Sequence, residues 1–254
     1  MLFLRKRILS FMRNNMRNFI LIFSCIFQSY SFVTFFSSFY NQWGHIPSYL
    51  IAIPTETSYP LMIMWYIVFS SISLYFSGEL YDRIHGFGKY ILVRNYNKKM
   101  FLLRFMGSIA IKIIFILIIQ TFIYYLTMLF IDHDLHSIEW LLLFKSLLIY
   151  YITMLTLILL QVGLELYISP QIAFLIVNIY VVFSILLAGI IFDYRAYKSL
   201  LYFLIPNFMM GLRTDIINRQ DFIIEFNYAI PLLVLYISTI ICLSLQKIMK
   251  KDFY

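Results

Sequence analysis

Charge is what this sequence has least of: 13% of the 254 residues are Asp, Glu, Lys or Arg, about half the share in a soluble domain. With 62% hydrophobic residues there is too little polar surface to cover a water-soluble globule, so the chain is an integral membrane protein. Divided into spans of about 20 apolar residues, six crossings nearly use up its length, and nothing is left for a separate soluble catalytic domain. The two cysteines, Cys25 and Cys242, lie inside apolar runs, which makes them inert packed thiols rather than a disulfide.

Chemical motifs are equally scarce. No Gly-x-Ser-x-Gly elbow and no His-Glu-x-x-His pair occurs, and no span carries an Asp, so intramembrane hydrolysis has neither nucleophile nor metal ligands. Gly86-Phe87-Gly88-Lys89 looks superficially like a phosphate loop, but Lys89 is followed by Tyr90 where that motif needs Ser or Thr. The chain is therefore expected to bind no nucleotide and not to be an enzyme. Asp132, His133, Asp134, His136 and Glu139 are metal-ligand types in one short loop. They lack the paired spacing of a metal site, and no metal is assigned. An ion-coupled transporter would need an ionisable group at mid-membrane, a signal this sequence does not carry. No repeat, linker or low-complexity tract divides the chain, which reads as one all-α transmembrane domain.

What is present is six apolar runs, at about 19–39, 60–76, 105–130, 140–160, 172–191 and 228–245, and a strongly asymmetric distribution of cations. Residues 1–18 form an amphipathic pattern at 100° per residue, with Leu4, Ile8, Leu9, Phe11, Met12 and Met16 opposite Lys6, Arg7, Ser10, Arg13, Asn14 and Arg17. This predicts an interfacial helix. With both termini in the cytoplasm, fourteen of the twenty Lys and Arg residues fall inside, while Arg195, Lys198, Arg213 and Arg219 fall outside in one long loop. That is the bias the positive-inside rule requires. The net charge of +8 is thus a topology signal and does not point to nucleic acid.

The densest charge is the segment 77–104, SGELYDRIHGFGKYILVRNYNKKMFLLR, which holds six of those cations. Glu79 and Arg83 make an i,i+4 pair that extends the second span beyond the membrane. Asp82, Lys89, Tyr90, Arg94 and Tyr96 interleave acid, base and aromatic in the manner of a partner surface. On the far side, 192–227 is too apolar for a solvated loop and reads as a re-entrant or interfacial segment. In the first span Ser24, Gln28, Ser31 and Ser38 share a stripe, either lining a conduit or forming a hydrogen-bonding seam between helices. Lys112 and Lys145 lie near enough to span ends to snorkel; if Lys112 faces the bundle instead, Glu165 or a partner chain would be its counter-ion.

This layout resembles the permease subunits of type-2 ATP-binding-cassette exporters over essentially the whole chain. The 77–104 loop is similar to those of small Gram-positive permeases linked to bacteriocin or antimicrobial-peptide export and immunity. The resemblance implies a coupling helix within Glu79–Lys99 seated on a separate ATPase subunit, which binds ATP and Mg, with a lesser contact through Glu165 in the second cytoplasmic connection. It also implies a permease dimer in a bacterial cell membrane, with an amphipathic peptide or lipid-like substrate passing between the first, second and fifth spans. A membrane receptor or immunity protein that binds an antimicrobial peptide is the alternative.

Overall fold

The structure is a computed structural model that describes residues 2–35, 46–54, 59–85, 97–131, 139–195, 197–217 and 222–250. An apolar chain in lipid must satisfy its backbone polar groups internally, and the apolar runs accordingly form long helices. These are α1 (Leu2–Phe35), α3 (Tyr59–Phe76), α5 (Lys98–Ile131), α6 (Trp140–Leu164), α7 (Pro170–Tyr194) and α9 (Phe226–Lys250). All six are long and apolar enough to cross a membrane, and the protein is a multi-pass membrane protein. Among the described residues three short helices lie between them: α2 (Ser48–Ile51), α4 (Glu79–His85) and α8 (Lys198–Leu201). No strand occurs among the described residues; Thr214 and Ile224 form an isolated bridge.

Helix ends follow local chemistry. Pro170 opens α7 behind an extended Ser169, using a position where the missing N–H costs nothing. Gly78, at φ 77°, supplies the left-handed residue that separates α3 from α4. There is no break at residue 18: the amphipathic stretch read as an interfacial helix continues directly into the first span within the 34 residues of α1. The helix that holds the third span likewise begins earlier than the apolar run, because Lys98–Arg104 are the first turns of α5.

The membrane-crossing slab can be located from charge. Arg17 Nη1 donates to the Tyr75 carbonyl at 3.4 Å, Lys112 pairs with Glu79, and Gly78 N–H reaches Glu165 at 2.7 Å. These contacts put four elements at one level, here called the basic end. From that level Arg17–Phe35, Tyr59–Phe76 and Lys112–Ile131 each rise about 26–29 Å, close to the roughly 30 Å of a hydrocarbon core. Residues 98–111 of α5 therefore run about 20 Å past the plane of Lys112.

Helix α6 is the centre of the bundle. It packs on α3, α5, α7 and α9 and buries Tyr150, Met154, Leu157, Ile158 and Val162. α1 lies against α3 and α5, and α7 against α3. Gly163 lets α9 approach closely: a Cβ there would stand 2.9 Å from Ser244 Oγ. At the opposite end, 197–217 folds back onto the bundle as α8 and two 3₁₀ turns, Ile205–Met209 and Gly211–Arg213. Residues 204–214 are buried against α6, α7 and α2, the setting in which irregular backbone is tolerated beside a membrane.

Candidate functional site

The charged groups at the basic end form one connected junction. Glu79 opens α4 immediately after the Gly78 break and accepts from Arg83 Nη2 at 3.0 Å, the i,i+4 pair expected from the sequence. The same Oε1 accepts from Lys112 of α5. Lys112 thus neither snorkels alone nor pairs with Glu165; its carboxylate is Glu79. Aromatic faces complete the environment: the Arg83 guanidinium lies 4.9 Å from the Phe105 ring centre, and Lys112 Nζ lies 5.9 Å and 6.0 Å from those of Tyr75 and Phe76. Cations over such faces are stabilised by the ring quadrupole.

Glu165 approaches the junction from the α6–α7 connection. It is only 5% exposed, and its Oε1 accepts the Gly78 N–H. It is therefore a strut between the two connections, turned inwards rather than presented as a surface contact. Burial pushes its carboxyl up to about 7, with Asp82 adding to the rise, while the Gly78 and Tyr81 N–H groups and Arg17 oppose it. Gly78 also sits against Pro170, 3.7 Å from where its Cβ would be. Asp82 and Arg83 themselves are exposed. Lys89, Tyr90, Arg94 and Tyr96 lie outside the described residues, as do Ser38 and the acidic loop 132–138.

The polar stripe of α1 faces protein. Ser24, Gln28 and Ser31 are all at most 3% exposed. Gln28 Nε2 donates to the Met64 carbonyl at 3.3 Å, and Gln120 Nε2 donates to Gln28 Oε1 at 2.9 Å. Gln28 thereby joins α1 to α3 and α5, while Ser24 Oγ donates back to the Leu21 carbonyl of its own helix at 2.8 Å.

Two further polar centres have no signal in the sequence. In the first, Ser73 Oγ and Gln161 Oε1 are 2.5 Å apart, Gln161 Nε2 donates to the Ser73 carbonyl at 2.9 Å, and Asn178 Nδ2 donates to Ser73 Oγ at 3.0 Å. Tyr66 closes the set by donating to Asn178 Oδ1 at 2.9 Å, so α3, α6 and α7 are tied together just inside the basic end. In the second, the fully buried Arg213 donates to the carbonyls of Pro54 and Ile185, both at 3.1 Å, and to Asn207 Oδ1 at 2.5 Å. Asn207 Nδ2 in turn donates to Ser184. Burial lowers the Arg213 guanidinium to about 9, countered by Asp193. Counting charges by loop places Arg213 in the long 192–227 segment without saying what it contacts; there it is an internal clasp. Isolated amides in apolar runs have no periodicity to reveal them, and only the rarity of buried polar groups marks them out.

The junction's chemistry is that of a mechanical tie. Through Glu79, Lys112, Glu165 and Gly78 it joins the root of the 77–104 segment to α3, α5 and the α6–α7 connection.

Residues 20–254 match a protein family described as "Protein of unknown function (DUF2705)". The chain is 30% identical over 224 residues to "Uncharacterized protein YybK" of Bacillus subtilis (strain 168), an alignment covering 85% of this chain and 89% of that one. No solved structure matches it. With six membrane-crossing helices and a match over nearly its full length, the chain belongs to the DUF2705 family.

Proposed function

We propose that this chain is the membrane-spanning subunit of an ATP-binding-cassette exporter of a bacterial cell membrane, with the 77–104 segment as the seat of a separate ATPase subunit. The observation that carries this reading is the junction at the root of that segment. A loop that only solvates the bundle has no need of a carboxylate shared by two cations and a buried second carboxylate bonded to its first residues. A loop that receives force does, because a push on it must reach the spans without being absorbed locally. Glu79 hands such a push to α5 through Lys112, and Glu165 hands it to the α6–α7 connection.

In this reading the basic end and both termini are cytoplasmic, and ATP and Mg are bound by the partner ATPase. A second permease chain completes the translocation path. ATP binding draws two ATPases together, each moves its docked loop, and the protruding turns of α5 act as the lever that alters access between paired chains. The substrate class is an amphipathic peptide or lipid-like molecule.

The test is gentle detergent purification of the wild type and of a Glu79→Ala/Arg94→Glu variant, followed by an ATPase assay of what copurifies. The wild type is expected to retain an ATPase, and the variant to lose it or its coupled activity while staying monodisperse. A wild type that brings down no ATPase overturns the exporter reading and puts a receptor or immunity protein in its place.

A further inference from the structure

The end of the bundle opposite the junction carries a groove that the exporter reading does not use. It has a volume of about 690 Å³ and lies between α8 and the first turns of α9, a size usual for small-molecule sites. Its α9 wall is Tyr228, Pro231, Leu232 and Leu235, spaced i, i+3, i+4 and i+7 on one helix face. The other face of α9 is the packed one, with Ala229 and Leu233 fully buried. The groove is therefore an apolar channel open to lipid, continuing down a helix that crosses the membrane. From Glu225 to Leu235 it descends about 15 Å, the depth of one hydrocarbon leaflet.

Its mouth has both signs of charge. Lys198 Nζ and Glu225 Oε1 stand 2.9 Å apart, with the side chains 33% and 42% exposed. The Ser199 hydroxyl and Tyr202 phenol flank Lys198 on the same short helix and its C-cap. On the α9 side, Pro231 lies inside the helix and lines the groove beside Leu232. A cation with hydroxyls on one side of the mouth and a carboxylate on the other complement a head group with one anion and one hydrogen-bonding cation. The apolar channel below complements a hydrocarbon tail.

We infer that the α8–α9 groove is a binding site for a zwitterionic glycerophospholipid with a primary amine, its phosphate at Lys198, Ser199 and Tyr202, its ammonium at Glu225, and one acyl chain along Pro231, Leu232 and Leu235. Charge complementarity selects the class. A purely anionic lipid would meet the Glu225 carboxylate, and a trimethylated head group has no N–H for it. The inference stands apart from ATPase docking, which takes place at the other end of the molecule.

The experiment uses the full chain in nanodiscs of equimolar phosphatidylethanolamine, phosphatidylcholine and phosphatidylglycerol with matched acyl chains. It is followed by stepwise detergent washing and native mass spectrometry of the retained lipid. The wild type is expected to keep one phosphatidylethanolamine per chain, enriched about tenfold over phosphatidylcholine, the low end of the discrimination of a single charge-assisted hydrogen bond. Glu225→Gln should bring that ratio towards one, and Leu232→Trp, which fills the channel without touching the ion pair, should remove the retained lipid at unchanged Tm. Equal retention of phosphatidylcholine, preference for phosphatidylglycerol, or retention indifferent to Leu232→Trp overturns the assignment. The wild-type ratio decides the matter even if a variant misfolds.

Discussion

Replacing Glu165 by glutamine is expected to make the protein more stable at neutral and alkaline pH, although it removes a charge bonded to a backbone N–H. The reason is the sign of the carboxyl's shift. Burial raises it from 4.5 to about 7, so below pH 4.5 it is protonated whether the chain is folded or unfolded. Between pH 4.5 and 7 the folded state keeps a proton that the unfolded state has released, and stability falls across this window. Above pH 7 both states are ionised, and the folded state carries the whole penalty, about 3 kcal/mol. The side-chain amide of the Glu165→Gln variant does not titrate, and its carbonyl still accepts from Gly78. The groups facing the carboxyl, Arg17 from α1 and Asp82 from α4, are already included in that shift.

The assay is thermal unfolding in detergent from about pH 4.5 to 8, with the variant as the reference so that every other titrating group cancels. Wild type should lose about 5–10 °C of midpoint relative to Glu165→Gln on going from the acid to the alkaline limit. The two proteins should be nearly equal at the acid end. Parallel curves, or a variant less stable than wild type at the alkaline end, would refute the account of Glu165 as a buried strut. If the junction transmits force, the same variant also separates its mechanical from its electrostatic contribution, because the hydrogen bond survives while the charge does not.

Three further outcomes follow from the packing. In a double-mutant cycle of Lys112→Met and Glu79→Gln, the coupling in unfolding free energy should be about 1–2 kcal/mol; additivity would mean that the pair does not join α4 to α5. Arg213→Met should cost about 1–3 kcal/mol, because the carbonyls of Pro54 and Ile185 and Asn207 Oδ1 lose their donor while the desolvation of the guanidinium is relieved, read as a lower unfolding midpoint; an unperturbed midpoint would count against the clasp. Gly211→Ala places a Cβ 2.3 Å from Ile217 Cδ1 and 3.0 Å from the Leu50 carbonyl oxygen. The expected loss is about 1–3 kcal/mol, and Ile217→Ala should recover most of it only if the Ile217 contact, rather than the backbone one, sets the strain.

Much of the architecture is legible in the sequence because lipid leaves the chain few choices. Runs at 60–76, 140–160, 172–191 and 228–245 correspond to helices 59–76, 140–164, 170–194 and 226–250, since hydropathy alone decides which backbone can be buried in hydrocarbon. The longer helices at 2–35 and 98–131 are not legible in full, because polar turns continue a helix as readily as they end one and hydropathy registers only the apolar part. The Glu79–Arg83 pair is visible as a local spacing. The partners of Lys112 and Glu165 and the Pro54 partner of Arg213 are not, as they lie 33, 87 and 159 residues away, and no period within one helix encodes such distances. Charge counting assigns Arg213 to its segment but carries no information on burial, and this cation is enclosed by carbonyls.

That clasp also says something about time. Pro54 leaves the ribosome 159 residues before Arg213, so while the second to fifth spans are made the 46–54 turn waits without the guanidinium that will hold it. The spans already inserted can still slide and rotate in that interval. Emergence of residues 205–213 supplies the missing donor from behind and ties the 46–54 turn to α7, so this end of the bundle takes its final form only after the fifth span has been made.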